Sequence, residues 1–380
     1  MMFQHRIKFA IALAVLTLFG TLSVVTPPIT AAEQLPSQLS DKDFWQLVTD
    51  FSEEGGYFRS DNFVSNETTF QYPIPELVST IKPGGIYLGV GPDQNFTYIV
   101  ALQPKLAFIL DIRRQNMLQH LMYKALFELS ADRAEFLSRL FSRPRPEGLD
   151  ASTSPEKLFE AFGLVDRSRE LYMKTLDAIW KTLEDQHGFA LSAEDEKSIE
   201  YIFNAFYVGG LDLNYNGPAN SLGGRGRMPS YAELMIQTDR AGLNRSYMSS
   251  EESFRILQDM EKKNLVVPLV GDFAGPKAIR SVGDYVREHG AAINVFYLSN
   301  VEQYLFQQDD DWSKFFTNVG TLPLESNSTF IRSIFNGLIP PRSNGFGLRS
   351  ASVLSPIQDI LKAFGAGQLR TYYDVIQMSH

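Results

Sequence analysis

The stretch GIYLGVGPDQNFTYIVALQPKLAFILDI, residues 85–112, decides the fold class of this 380-residue chain. It opens with an apolar run that ends in a glycine turn, continues through a helical segment at 93–102, and closes with a second apolar run at 106–112. Apolar runs separated by a helix are typical of parallel strands in a sheet that is covered on both faces. Two further apolar runs, at 265–271 and 293–298, repeat the pattern. The sequence therefore predicts an α/β fold with a Rossmann-like, mostly parallel sheet.

The long interval between the second and third predicted strands carries helical patterns. We expect a helical insertion at residues 141–248 that ends in a glycine-rich loop, with the Rossmann-like domain formed by residues 33–140 and 249–380. Pro268 fits poorly at the centre of a sheet, because proline cannot donate a hydrogen bond to the ladder. A helix near 356–364 and a last strand at Thr371–Gln377 complete the predicted elements.

The first 32 residues have the order of a secretory signal peptide. Arg6 and Lys8 precede an apolar stretch at residues 9–25, and Thr30-Ala31-Ala32 supplies a small-residue cleavage site. An uncleaved membrane anchor is the alternative, since the apolar stretch approaches the length of a short spanning helix. We expect cleavage after Ala32 and an exported protein, periplasmic or extracellular, with no stable membrane span.

The composition excludes several classes of function. The chain has 35 Lys and Arg against 44 Asp and Glu, and this acidic balance argues against a nucleic-acid-binding protein. It contains no cysteine, which excludes disulfides, thiolate zinc sites and cysteine nucleophiles. The histidines are scattered without the spacing of metal ligands, so no metal site is expected. A small molecule or a cell-envelope component is the expected partner.

The glycine turn and the acid that ends the second strand form the first candidate site. Gly89 and Gly91 let a ligand approach the backbone, and Asp111 is placed to hold the two hydroxyls of a ribose. Asp93 stands where diphosphate binders keep another glycine, and its carboxylate would repel a diphosphate but not a cationic nucleoside. A plain tight turn is the alternative. If the turn binds a cofactor, a cationic nucleoside such as S-adenosylmethionine, which has no phosphate, is compatible with it.

The third and fourth strands also end in candidate residues. Asp272 is a candidate to contact the amine of a base, and the helix start behind it could receive an anion; a capping role for Asp272 is the alternative. After the fourth strand, Asn300 is a candidate hydrogen-bonding residue and Glu302 a candidate catalytic base. The alternative is favoured here, because Ser299 and Glu302 are already explained as the capping box of the next helix.

The glycine-rich loop at residues 209–229 carries two cations, Arg225 and Arg227. Arginines on such a loop could close over a carboxylate or another small anionic substrate. The alternative is a mobile surface loop without a role in binding.

Three segments carry a resemblance to known proteins. They are PSYAELMIQTD (229–239), RSYMSSEESFRILQDMEKKNLVVPLVGDFAGPKAIRSVG (245–283) and NVFYLSNVEQYL (294–305). Together they resemble an uncharacterised family of exported bacterial proteins with a class I methyltransferase-like, Rossmann-like domain. The resemblance implies the fold and transfers no activity. Gly89, Gly91 and Asp111 match the glycine motif and the ribose-binding acid of methyltransferases. Asp272 matches the acid after the third strand, and Asn300 loosely matches the motif after the fourth.

Two functions of different classes remain open. The first is a small-molecule methyltransferase, or a protein that still binds S-adenosylmethionine or a related nucleoside. The second is a non-catalytic cell-envelope binding protein that keeps the fold without the cofactor. The residues at the strand ends favour the first function. The signal peptide favours the second, because export takes the protein away from cytoplasmic S-adenosylmethionine.

Overall fold

The computed structural model describes residues 34–218, 228–335 and 350–380 of the chain. The predicted signal peptide and the two arginines of the glycine-rich loop, Arg225 and Arg227, lie outside the described residues. Within the described ranges, no helix has both the length and the apolar character needed to cross a bilayer.

In the described part of the chain, six strands form one sheet with the order β3-β2-β1-β4-β5-β6. The strands are β1 Ile86–Gly89, β2 Leu106–Asp111, β3 Val266–Val270, β4 Ile293–Ser299, β5 Leu324–Phe335 and β6 Ser350–Pro356. The first five strands are parallel, and β6 runs antiparallel to β5. All residues of β1, β2 and β3 are buried, as expected of strands covered on both faces. The predicted α/β class and the mostly parallel sheet are confirmed.

Pro268 is explained by the position of its strand. Among the described strands, β3 is at the edge of the sheet and pairs only with β2, where Pro268 lies opposite Ile109. An edge strand has one side without ladder partners, so a residue that lacks an N–H can face that side at little cost.

Helices cover the sheet and fill the interval between β2 and β3. Before the interval the structure has α1 Asp41–Phe51, α2 Ile74–Thr80 and α3 Gln94–Leu102. Within its described part lie α4 Arg114–Leu129, α5 Arg133–Phe141, α6 Pro155–Gly163, α7 Arg169–Trp180, a π-helical turn Lys181–Gln186, α8 Ala193–Gly209, a 3₁₀ turn Gly210–Asp212, α9 Tyr231–Met235 and α10 Glu251–Lys262. α4 packs on β2 and β3 and also on α8, so it joins the sheet to the helices of the interval.

The C-terminal part departs from the expected elements. It contains α11 Ala278–Glu288, α12 Val301–Leu305, α13 Asp311–Val319, α14 Ile357–Gly365 and α15 Tyr372–Gln377. The helix expected near 356–364 is confirmed as α14. The prediction of a strand at Thr371–Gln377 is wrong. These residues form α15, because Thr371 and Asp374 make a capping box that starts a helix. The last strands are β5 and β6. They contain buried serines and a buried arginine, so their sequences lack the apolar pattern by which a buried strand is predicted.

Candidate functional site

A cavity of about 530 Å³ opens at the carboxyl ends of the parallel strands. Gly91, Asp111, Asp272 and Asn300, which follow or end β1, β2, β3 and β4 in that order, all line it. β2 and β4 flank β1 on opposite sides, so the cavity lies where the strand order reverses. Ligands of open α/β sheets collect at this point. The fold therefore brings four of the predicted site residues to one place.

Gly89 does not line the cavity, and its lack of a side chain serves internal packing. A Cβ atom at Gly89 would lie 2.0 Å from the Oδ1 atom of Asn95. Asn95 in turn accepts a hydrogen bond from the Tyr87 hydroxyl (2.9 Å) and donates to the backbone carbonyls of residues 90–92. The turn after β1 is thus held by a buried amide, and glycine at position 89 makes room for it.

Gly91 is the glycine that faces the cavity. Its φ of +79° lies in the left-handed region that favours glycine. The nearest atom to a Cβ placed there would be Nδ2 of Asn62, at 3.9 Å. The Nε2 atom of the buried His120 forms a hydrogen bond with the Gly91 carbonyl oxygen, at 2.9 Å. The backbone of Gly91 is therefore open to a ligand on one side and fixed on the other.

Asp93 is buried under the turn and does not reach the cavity. Its Oδ2 atom accepts a hydrogen bond from the Tyr247 hydroxyl at 3.0 Å, and the residue is 2% exposed. Burial raises the pKa of Asp93 to about 7. The structure thus places Asp93 in the interior beneath the candidate site, without contact to a ligand in the cavity.

Asp111 lines the cavity, but both of its carboxylate oxygens are bound within the chain. Arg113 donates from Nε to Oδ1 at 2.9 Å and from Nη2 to Oδ2 at 2.8 Å. The Nη1 atom of Arg113 also binds the backbone carbonyls of Ser60 and Asp61. A ribose would therefore have to share Asp111 with this guanidinium. Arg113 was missed from the sequence, since spacing alone does not tell where a side chain two residues away points.

Asp272 lines the cavity, whereas the helix start behind it is already occupied. The Glu53 carboxylate accepts hydrogen bonds from the backbone N–H of Asp272 (3.0 Å) and, at the beginning of α11, from those of Lys277 (2.6 Å) and Ala278 (2.9 Å). The anion expected at this helix start is thus supplied by the chain itself. Burial raises the pKa of Asp272, and the nearby carboxylates of Asp311 and Glu53 add to the rise.

The structure does not bring Glu302 to the cavity. It is 1% exposed and bound through both oxygens to Arg332, with Nη2 of Arg332 at 3.0 Å from Oε1. The prediction of a capping box from Ser299 and Glu302 is also wrong, because the N-cap residue of α12 is Asn300 and no side chain caps this helix. Asn300 lines the cavity, and its role as a hydrogen-bonding residue stays a prediction.

Glu67 is the main site residue that the sequence did not reveal. It lines the cavity and is 1% exposed. Its carboxylate accepts hydrogen bonds from Gln94 Nε2 (2.7 Å), from the Tyr297 hydroxyl (2.8 Å) and from the Ser299 hydroxyl. Burial raises the pKa of Glu67, although these hydrogen bonds act to lower it. The only signal in the sequence is a lone acid within the stretch FVSNETTFQY, residues 63–72.

Aromatic side chains form the rim of the cavity. Tyr304 and Phe58 both line it, with their rings edge to face and their centroids 5.2 Å apart. The guanidinium of Arg59 lies 5.9 Å from the centroid of the Tyr304 ring. Tyr57, also in the lining, is 87% exposed. This rim offers apolar faces on which a planar ring could stack.

A family model with the description "Domain of unknown function (DUF7790)" matches residues 62–188 and 223–352, more than half of the chain. The chain belongs to the DUF7790 family. No curated protein matches it significantly. The DUF7790 match includes Glu67 and the four strand-end residues of the cavity, but not the rim residues 57–59.

The charge of the DUF7790 cavity favours a neutral or cationic ligand. Four carboxylates line it, those of Glu67, Asp111, Asp272 and Asp311, against the two guanidinium groups of Arg59 and Arg113. Arg113 is already paired with Asp111. Within the described ranges, no group of three or more metal-ligating side chains is placed to hold an ion.

Proposed function

We propose that this DUF7790 protein is an exported protein with a class I methyltransferase-like domain, and that its cavity binds S-adenosylmethionine or a related cationic nucleoside. The observation that carries the proposal is the position of Gly91, Asp111 and Asp272 around one cavity at the strand-order reversal. These residues match the glycine motif and two acids of methyltransferases. The strand order, with an antiparallel last strand beside the fifth, also supports this relationship.

The side chains of the cavity suit such a ligand chemically. The open side of Gly91 admits a ligand to the backbone, and the excess of carboxylates would stabilise a sulfonium cation. Asp272 is placed to accept a hydrogen bond from a base amine, and the aromatic rim can stack a ring. When bound, S-adenosylmethionine supplies an activated methyl group.

A non-catalytic envelope binding protein is the second candidate, and two contacts favour it. Arg113 occupies both oxygens of Asp111, and Glu53 occupies the start of α11. Both are positions where a nucleotide-binding sheet protein would contact its cofactor. A chain that fills them internally can keep the fold and bind a glycan, a peptide or a protein instead.

Calorimetric titration tests the first candidate directly. We expect S-adenosylmethionine and S-adenosylhomocysteine to bind with micromolar affinity to the chain without residues 1–32, since Gln34–His380 form a compact unit. Asp272→Asn should weaken binding about tenfold or more, because the amide oxygen can still accept a hydrogen bond but no longer carries the charge that strengthens it. Asp111→Ala is unsuitable, because it would leave the buried Arg113 guanidinium unpaired.

The matched control is Asp177→Asn, which removes an exposed carboxylate of α7 and should leave the affinity unchanged. Absence of heat at millimolar concentrations of both ligands would exclude the nucleoside-binding proposal. The envelope-protein candidate would then be tested by recovering partners with the processed chain.

A further inference from the structure

Ser299 has an unusual backbone for a residue at a strand end. Its φ is +50°, in the left-handed region that residues with a Cβ seldom adopt. It ends β4 where the pairing with β5 shifts register, and α12 begins two residues later. Left-handed residues and register shifts recur next to active sites. A serine on a sharp strand-to-helix turn is also the arrangement that presents a nucleophile above an α/β sheet.

The hydroxyl of Ser299 is bound to a buried carboxylate inside the cavity. Its Oγ atom donates a short hydrogen bond to Oε1 of Glu67, and both residues line the cavity. The Tyr297 hydroxyl and Gln94 Nε2 hold the two oxygens of Glu67 in place. Among the described residues Glu67 has no ion-pair partner, so no neighbouring cation lowers the basicity of its carboxylate.

We propose that Ser299 is a nucleophile and Glu67 its general base, and that the cavity hydrolyses small carboxylic esters through an acyl-serine intermediate. The proposal rests on the left-handed turn, the Ser299–Glu67 hydrogen bond and the position of both groups in the cavity. It concerns the same cavity as the nucleoside proposal, but it needs no cofactor and no methyl transfer, so the failure of one proposal does not decide the other. Glycines are absent two residues before and after Ser299, where Tyr297 and Val301 stand, so geometry rather than the nucleophile-elbow motif carries the assignment.

Ser299, Glu67 and water supply every group that the hydrolysis of the ester requires. Oγ of Ser299 forms a bond to the ester carbonyl carbon while its proton passes to Glu67. The tetrahedral oxyanion collapses and expels the alcohol, which takes the proton from Glu67. Water then attacks the acyl-serine, again giving its proton to Glu67, and Ser299 leaves with that proton. Asn62 and Asn300 line the same cavity and carry amide donors for the oxyanion.

The carboxylate of Glu67 suits the work of a base. Burial raises its pKa above that of an exposed glutamate, which makes it a stronger base. Tyr297 and Gln94 fix its position, so the proton has a short and constant path.

A fluorophosphonate probe tests the proposal without knowledge of the natural ester. We expect the full chain to form one covalent adduct, located by peptide mass spectrometry at Ser299. Ser299→Ala should abolish the adduct. Glu67→Gln should slow its formation about 100-fold or more, the range expected for loss of a general base. In the unchanged protein the rate should rise with pH and level off once Glu67 is deprotonated.

Ser142→Ala is the matched control. Ser142 also has a positive φ, of +51°, but lies outside the cavity, so its replacement removes a hydroxyl from the same strained backbone conformation, which the alanine Cβ retains, and should leave the rate unchanged. The proposal is overturned by absence of an adduct, by an adduct on another residue, or by a folded Ser299→Ala variant that reacts at the original rate. If Glu67→Gln fails to fold, a flat pH profile of the unchanged protein still overturns the role of Glu67.

Discussion

Glu302→Gln should lower the free energy of unfolding by about 3–5 kcal/mol, because it leaves a buried guanidinium without its counter-charge. Arg332 is 0% exposed and binds both oxygens of Glu302. Ser355 remains as a partner of Nη1 but carries no charge. Urea unfolding followed by circular dichroism measures the change. The reaction with fluorophosphonate, per folded molecule, should remain as it was, because Glu302 does not line the cavity.

Asp359→Asn is the matched control for this variant. It removes a carboxylate from the exposed Asp359–Lys362 ion pair, which should cost less than about 1 kcal/mol. Replacing both buried partners, with Glu302→Gln and Arg332→Met together, should recover part of the lost stability, since no unpaired charge stays inside. A stable Glu302→Gln protein that no longer reacts would instead show that Glu302 takes part in catalysis.

Asp93→Asn should remove a pH-dependent loss of stability worth about 3 kcal/mol between pH 5 and pH 8. The pKa of Asp93 is about 7 in the folded protein, against an ordinary value of 3.8. The unfolded chain therefore releases this proton at lower pH than the folded chain does. Stability is full below the unfolded pKa and is lost as pH rises through the folded pKa. Asparagine does not ionise, and its amide oxygen can still accept from Tyr247.

Urea unfolding of both proteins at pH 5 and pH 8 measures the difference. The comparison is needed because burial also raises the pKa of Glu261, to about 8, and this contribution is the same in both proteins. Asp177→Asn, an exposed substitution on α7, should follow the unchanged protein at both pH values. Equal pH dependence in Asp93→Asn and the unchanged protein would contradict the assignment of the raised pKa to Asp93.

Much of the fold could be predicted because its determinants are local. The apolar runs that form β1 to β4 are each continuous in sequence. A strand that is buried on both faces is recognised from such a run alone, without knowledge of its neighbours. Asp111, Asp272 and Asn300 were predicted as site residues because they lie at the ends of their strands or directly after them. Parallel strands bring all their carboxyl ends to one edge, so their proximity follows from topology. β5 was not predicted, because its interior polar groups are buried through partners distant in sequence, such as Glu302 for Arg332.

The sequence by itself determined the α/β class, the strand ends that meet at the cavity and the exclusion of cysteine chemistry. Only the tertiary structure decided how each carboxylate is used. Glu53 accepts hydrogen bonds at the start of α11, and Glu302 forms an ion pair with Arg332. Glu67 accepts a hydrogen bond from the hydroxyl of Ser299, which is 232 residues away in the chain. The physical reason is that the chemistry of a carboxylate depends on its burial and on the donors around it. Those donors come from segments far apart in the chain, and no local pattern records which of them will meet.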